Sequence, residues 1–138
     1  MSQWTFQNKK IDVLPEGCEA FVYLITNTTN DKKYIGKKLA KFKTTKPPLK
    51  GKKNKRRGTK ESDWKTYWGS NKVLTNLLEN EPVENFKREI LTLAPNKKLL
   101  TYEETKAQFI YEVLENPNDF FNDNILGKFF TKDFESQK

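Results

Sequence analysis

The sequence predicts an α+β domain, with a small three-stranded mixed or antiparallel sheet flanked by helices and a long basic loop. Three observations lead there. Phe21–Ile25 is an unbroken aromatic, aliphatic and β-branched run, the pattern of a strand buried on both faces. Phe86–Leu93 alternates well enough to be another strand. Two further segments carry apolar residues at helical spacing. The 138 residues suit a single domain, 1–138.

Taken in order, a short strand around Trp4–Phe6 leads the chain and ends before Pro15 and Gly17. After Phe21–Ile25, the turn formers of residues 27–33 predict a hairpin loop. Lys33–Gly36 is then the return strand, stopped by Gly36. Residues 61–69 begin a helical stretch that Gly69 and Ser70 interrupt. Ser70 is suited to cap a second helix over residues 71–80, with Val73, Leu74, Leu77 and Leu78 as its apolar stripe. Pro95 and Asn96 end the third strand. A long helix is expected from about Tyr102 to Glu115, opened by a Thr101/Glu104 capping box, with Ala107, Ile110, Val113 and Leu114 on one face. Pro117 ends it, and residues 119–130 are expected to be irregular and packed by their aromatics.

Charge is the most uneven property of the chain. The formal net charge is +8, and the segment Lys37–Lys60 holds 12 of the 26 basic residues and none of the 18 acidic ones. The rest of the chain is therefore net acidic. Clustered Lys and Arg gain affinity for nucleic acid by releasing condensed counterions. Pro47, Pro48, Gly51 and Gly58 make this segment a shaped loop, and loops of this length in small domains are usually functional or disordered. It has almost no apolar residues to insert into a membrane surface. The expected DNA-contacting set is Lys41, Lys43, Lys46, Lys50, Lys52, Lys53, Lys55, Arg56 and Lys60.

The sequence contains no histidine and one cysteine, Cys18. That excludes His-based proton transfer, Ser-His triads, intramolecular disulfides and multi-cysteine zinc sites. Tyr, Lys, a carboxylate or activated water must then carry any proton chemistry. No apolar run is long enough to span a bilayer and the N-terminal residues do not read as a signal peptide, so a cytoplasmic location is expected.

FVYLITN (residues 21–27) followed by KKYIGKK (residues 32–38) resembles the paired strands of GIY-YIG nucleases. Pro47–Arg57, Glu61–Ser70 and Phe120–Lys128 are similar to features of the phage SegE-like subgroup, so the resemblance spans nearly the whole chain. It implies a GIY-YIG nuclease-like fold and a DNA endonuclease dependent on Mg²⁺ or Mn²⁺. The implied setting is phage homing or genome competition in the host bacterial cytoplasm, with double-stranded DNA as partner and a homodimer on DNA for a double-strand cut. Phe21 and Val22 stand where the family name has Gly and Ile, and no Arg follows the second motif at the usual distance.

By this resemblance Tyr23 and Tyr34 are the catalytic hydroxyl pair, Lys38 the cation beside the phosphate with Arg57 second, and Asn122 the polar support. Glu104 is the metal ligand, with Glu103 as the alternative. Gly36 either brings backbone close to the phosphate or simply ends a strand. Trp64, Tyr67 and Trp68 either stack on bases or fill the core. Two other functions compete. One is a PD-(D/E)xK nuclease built on Asp63-Trp64-Lys65, and the other a non-catalytic nucleic-acid-binding module on the same scaffold.

Overall fold

The computed structural model describes residues 3–46, 48, 50–51 and 56–135, with backbone alone for 42–46, 56–59 and 135. Lys52, Lys53 and Lys55 lie outside the described residues.

The fold is α+β, and its principal sheet has five strands rather than three. Its first four strands are β1 (Thr5–Phe6), β2 (Lys9–Lys10), β3 (Ala20–Asn27) and β4 (Lys32–Leu39). A separate hairpin of β5 (Lys41–Lys46) and β6 (Arg56–Glu61) follows, and β7 (Phe86–Ala94) then completes the sheet in the order β2-β1-β7-β3-β4. Within it only β1 and β7 run parallel; the other neighbours are antiparallel. The two additional strands, β1 and β2, have two residues each, too short to leave a periodic signal in the sequence.

Strand β3 lies between β7 and β4 with all eight residues buried, because both sheet faces are covered. Phe21, Tyr23 and Ile25 pack on one face with Trp4, Trp64, Leu74, Phe86 and Ile90. That face is roofed by the 3-10 turn Trp64–Thr66 and by α1 (Lys72–Asn80). Ala20, Val22 and Leu24 point the other way and pack with Ile35 of β4, Leu100 of α2 (Lys97–Ile110), Val113 and Leu114. In β7, Ile90 lies opposite Tyr23 and Thr92 opposite Val22, so Leu91 is passed over as a bulge.

Trp4 ties the leading segment down by donating its indole N–H to the Trp64 carbonyl at 2.7 Å. Arg88 of β7 is almost wholly buried, with its guanidinium between the rings of Trp4 (4.7 Å) and Trp68 (4.2 Å). It donates to the Tyr67 carbonyl at 2.7 Å. Burial pushes its pKa down to about 10, so it remains charged at neutral pH.

Several local expectations are corrected. The basic loop contains the β5–β6 hairpin, paired antiparallel from Lys41↔Glu61 to Lys46↔Arg56. Phe42, Thr44, Thr45 and Thr59 are residue types that favour strands, and the clustered charge around them hid that preference. Residues 61–69 hold a 3-10 turn instead of a helix, since Trp64 turns into the core at 2% exposed. Asn71, not Ser70, caps α1, accepting from Leu74 N–H at 3.0 Å. Val73 is exposed and leaves the apolar stripe.

Helix α2 starts at Lys97 and is capped by Asn96, which accepts from Leu99 N–H at 2.9 Å. Thr101 and Glu104 therefore sit inside the helix and form no capping box. The helix ends at Ile110, and Glu112 takes a positive φ of 52° just beyond it. Ile110 is exposed, whereas Val113 and Leu114 are buried in the segment after the helix. Residues 119–130 are also more ordered than expected. They include β8 (Asn124–Ile125) and β9 (Phe129–Phe130), and Phe120 bridges in parallel to Lys33.

Gly36 does not stop β4; it lies mid-strand opposite Tyr23. A Cβ there would overlap the Tyr23 hydroxyl oxygen, and Tyr23 is too buried to swing aside. The missing side chain makes room for the phenol. Gly36→Ala is therefore expected to destabilise the fold by about 2 kcal/mol or more, read as a lower urea unfolding midpoint.

Candidate active site at the edge of the sheet

Strand β4 is the outer strand of the principal sheet, and its free edge is closed by the chain after α2. Lys33 N–H donates to the Asp119 carbonyl at 2.9 Å, and Phe121 N–H donates to the Lys33 carbonyl at 2.7 Å. One step along, the Asn122 carboxamide takes over the role of a peptide. Its Oδ1 accepts from Ile35 N–H at 3.0 Å and its Nδ2 donates to the Ile35 carbonyl at 2.8 Å. Gln108 of α2 donates to the same carbonyl at 3.4 Å.

This closure leaves a cleft of about 540 Å³ where the two sheet faces meet at the β4 edge. Tyr34 and Lys37 enter it from β4, Ser70 and Lys72 from the start of α1, Glu104 from α2, and Asp123 from the closing segment. The two β4 residues reach it from opposite faces of the sheet, because successive side chains alternate.

Tyr34 and Tyr23 stand with ring centroids 6.1 Å apart. Tyr23 is buried, and its hydroxyl donates to Tyr67, whose ring lies 5.9 Å away. Burial drives the Tyr23 pKa far above the ordinary phenol value, with further contributions from Tyr34 and Tyr67. Tyr34 is also raised, chiefly by burial, while a hydrogen bond from Ser70 opposes the shift. Gly69 permits that contact. At φ +94° it passes close to both tyrosines, and a Cβ would lie 3.3 Å from the Tyr23 hydroxyl oxygen.

Glu104 is an acid in a partly desolvated position. Burial raises its pKa, and Lys37 opposes the shift. The Lys37 ammonium is steadied by the Thr101 hydroxyl at 3.1 Å.

The structure thus brings together Tyr34, Glu104 and Asn122, with Tyr23 directly behind Tyr34. Glu103 does not line the cleft. Neither does Lys38, which pairs with Asp63 at 2.6 Å and lies 4.0 Å over the Tyr67 ring. Arg57 sits in β6 opposite Thr45, with backbone alone described. Asp63-Trp64-Lys65 falls at the 3-10 turn, its carboxylate held by Lys38 and its Trp in the core. Tyr67 and Trp68 also pack against the core.

Sequence reasoning did not single out Lys37, Lys72, Ser70 or Gln108 as site residues. Strand alternation was a usable signal for Lys37, since it shares the Ile35 face that α2 covers. Lys72 had none, because its place depends on where α1 begins.

Against this geometry, a family model described as "Putative endonuclease segE, GIY-YIG domain" matches residues 4–125. The chain belongs to the SegE-type GIY-YIG family. The match runs from Trp4 to Ile125 and so includes Tyr23, Tyr34, Lys37, Ser70, Lys72, Glu104 and Asn122. Comparison with curated proteins and with solved structures gave no match. Membership places this chain in a family described by endonuclease activity. Among the described residues no helix is long and apolar enough to cross a membrane.

The raised pKa of Glu104 makes a signed prediction. Its protonated form is favoured in the fold, so its contribution to stability is fully present below the ordinary glutamate value of 4.5 and is lost as pH rises through the folded value. Glu104→Gln should therefore raise the unfolding midpoint at neutral pH. The gain should vanish below about pH 4, in denaturation series run across pH.

Proposed function

We propose that the β4-edge cleft hydrolyses phosphodiester bonds of double-stranded DNA with the help of a divalent cation, Mg²⁺ or Mn²⁺. The observation that carries this reading is the convergence of Tyr34, Glu104, Lys37 and Lys72 on one cleft. A phosphate there meets two ammonium groups and the first residues of α1, where the helix dipole favours negative charge.

The donor set fits a hard cation. Glu104 and Asp123 offer carboxylate oxygens and Tyr34 a phenolic oxygen, all lining the cleft. Among the described residues no group of three or more acidic, Cys or His side chains forms. A site with so few protein ligands suits an ion that shares its coordination with water and phosphate. Asn122 is not a ligand, because both ends of its amide are engaged by Ile35. Held at Glu104, a divalent cation would supply charge stabilisation at the phosphate.

The chain's own residues do the rest. Tyr34 is the hydroxyl that meets the attacking water, and the Ser70 hydrogen bond favours its ionised form. Tyr23 fixes the Tyr34 ring from behind. Lys37 and Lys72 neutralise charge that grows on the phosphate oxygens. Lys38, bound to Asp63 and Tyr67, braces this face of β4. Arg57 joins the other basic residues of the β5–β6 arm in gripping the DNA backbone. The biological setting we attach is a phage nuclease of homing or genome-competition type.

One observation favours a non-catalytic binding module instead: burial holds both phenols in the protonated form. Supercoiled plasmid separates the readings. Nicking or linearisation is expected with Mg²⁺ or Mn²⁺ and none with EDTA. Tyr34→Phe and Glu104→Ala should each slow cleavage by about 10²-fold or more while DNA binding survives. Binding without cleavage under every metal tried would establish the module.

The arm is tested separately. Neutralising Lys52, Lys53, Arg56 and Arg57 should weaken DNA binding and flatten its salt dependence, by roughly 0.9 in log–log slope for each phosphate no longer neutralised. An unchanged slope in filter-binding titrations would remove the arm from the interface.

A further inference from the structure

Helix α2 is apolar on two sides. Leu100 and Ala107 face the sheet, as a surface helix requires. Its outer side carries Tyr102, Phe109 and Ile110 at 60%, 52% and 66% exposed. Leu126, from the turn between β8 and β9, lies beside them at 53% exposed. The Phe129 ring stands 6.1 Å from that of Phe109, and Leu99 extends the stripe one turn toward the helix start. Tyr102, Phe109, Ile110 and Leu126 border a shallow groove of about 540 Å³. Among the described residues nothing covers it.

The size of this face indicates what fits. Large side chains, each about half exposed, present on the order of 700 Å² of apolar surface. A standard protein interface takes about 800 Å² from each partner, and contiguous exposed apolar patches of this size mark interaction sites. The arrangement is also self-complementary. Tyr102 and Phe109 lie at equal distances from the middle of the stripe, which is shared by Thr105 and the exposed Lys106, both lining the groove. A long lysine stem can lie along an apolar contact with its ammonium in water. Two α2 helices crossing antiparallel there would set Tyr102 of each copy against Phe109 of the other, the reciprocity an isologous contact needs.

We propose that the outer face of α2 binds a second copy of this chain about a two-fold axis. Leu126 lines both this groove and the β4-edge cleft, so the pair holds its two clefts beside one interface. That geometry suits cutting both strands of a duplex. This consequence rests on the nuclease reading; the association does not.

Sedimentation equilibrium of the full chain without DNA tests it. The wild type should sediment as a dimer at tens of micromolar. Ile110→Glu and Tyr102→Glu should each weaken association by about tenfold or more, since each buries an unpaired charge. Val13→Glu, at a residue 72% exposed and outside the groove, should sediment as wild type, with circular dichroism confirming that every variant is folded. A monomer at all concentrations, or a dimer indifferent to both groove variants, overturns the proposal. Plasmid cleavage by a monomeric protein defeats the association and spares the nuclease reading. A dimer that cuts nothing does the reverse.

Discussion

The cleft exists because the Asn122 carboxamide pairs with the Ile35 peptide, 87 residues away in sequence. An edge strand presents unpaired N–H and C=O groups that must be met by water or by protein. Along β4, residues 119–121 meet them at Lys33, and a side chain meets them at Ile35. That substitution of side chain for backbone lets the closing segment turn away from the strand instead of continuing along it. The space it vacates is the cleft, with Asp123 on its rim and Glu104 across from it. A hydrophobic residue at 122 would leave the buried Ile35 N–H unmet, at a cost of about 1–3 kcal/mol, and leave the Ile35 carbonyl only its longer bond from Gln108.

Around that pairing, the site is built against its own electrostatic comfort. Two phenols and a carboxylate are packed closely enough that burial and their neighbours disfavour ionisation. Relief within the protein is local and small. Ser70 gives Tyr34 one hydrogen bond and Lys37 gives Glu104 one countercharge. Such an arrangement is costly for a scaffold and useful for a site that receives positive charge with its substrate, since an arriving cation stabilises the very anions that burial penalises. Gly36 and Gly69 make this crowding possible by giving up the volume the tyrosines occupy.

Much of the fold was legible because its main determinants are local. The apolar run at Phe21–Ile25, the turn after it and the pattern of Phe86–Leu93 each correspond to an observed element. The errors fall where burial or long-range pairing overrides local pattern. Trp64 and its neighbours have helical spacing, yet the indole is drawn into the core and the helix does not form. The hairpin was masked because clustered charge reads as a loop even where Phe42 and three threonines favour a strand. Glu104 and Thr101 fit a capping box until Asn96 is seen to start the helix earlier. In the site, resemblance supplied Tyr34, Glu104 and Asn122, which the structure gathers. Lys37 and Lys72 depended on strand facing and on the start of α1, which motif matching does not reach.

The hairpin between β4 and α1 is attached in a way that separates two tasks. Its two ends meet: Ser62 N–H donates to the Ala40 carbonyl at 2.7 Å, and the Ser62 hydroxyl to the Leu39 carbonyl at 2.6 Å. Ala40 is itself held by Glu19 and buried. The chain therefore leaves the core and returns to it at one closed base, so the length and charge of the ribbon can vary without moving Tyr34 on one side or Ser70 on the other. In the proposed reading, affinity for the DNA backbone resides in the ribbon and chemistry in the cleft. A chain whose excess positive charge sits wholly in one inserted hairpin can then be basic enough to hold DNA while the domain behind it keeps the net acidic composition of an ordinary folded protein.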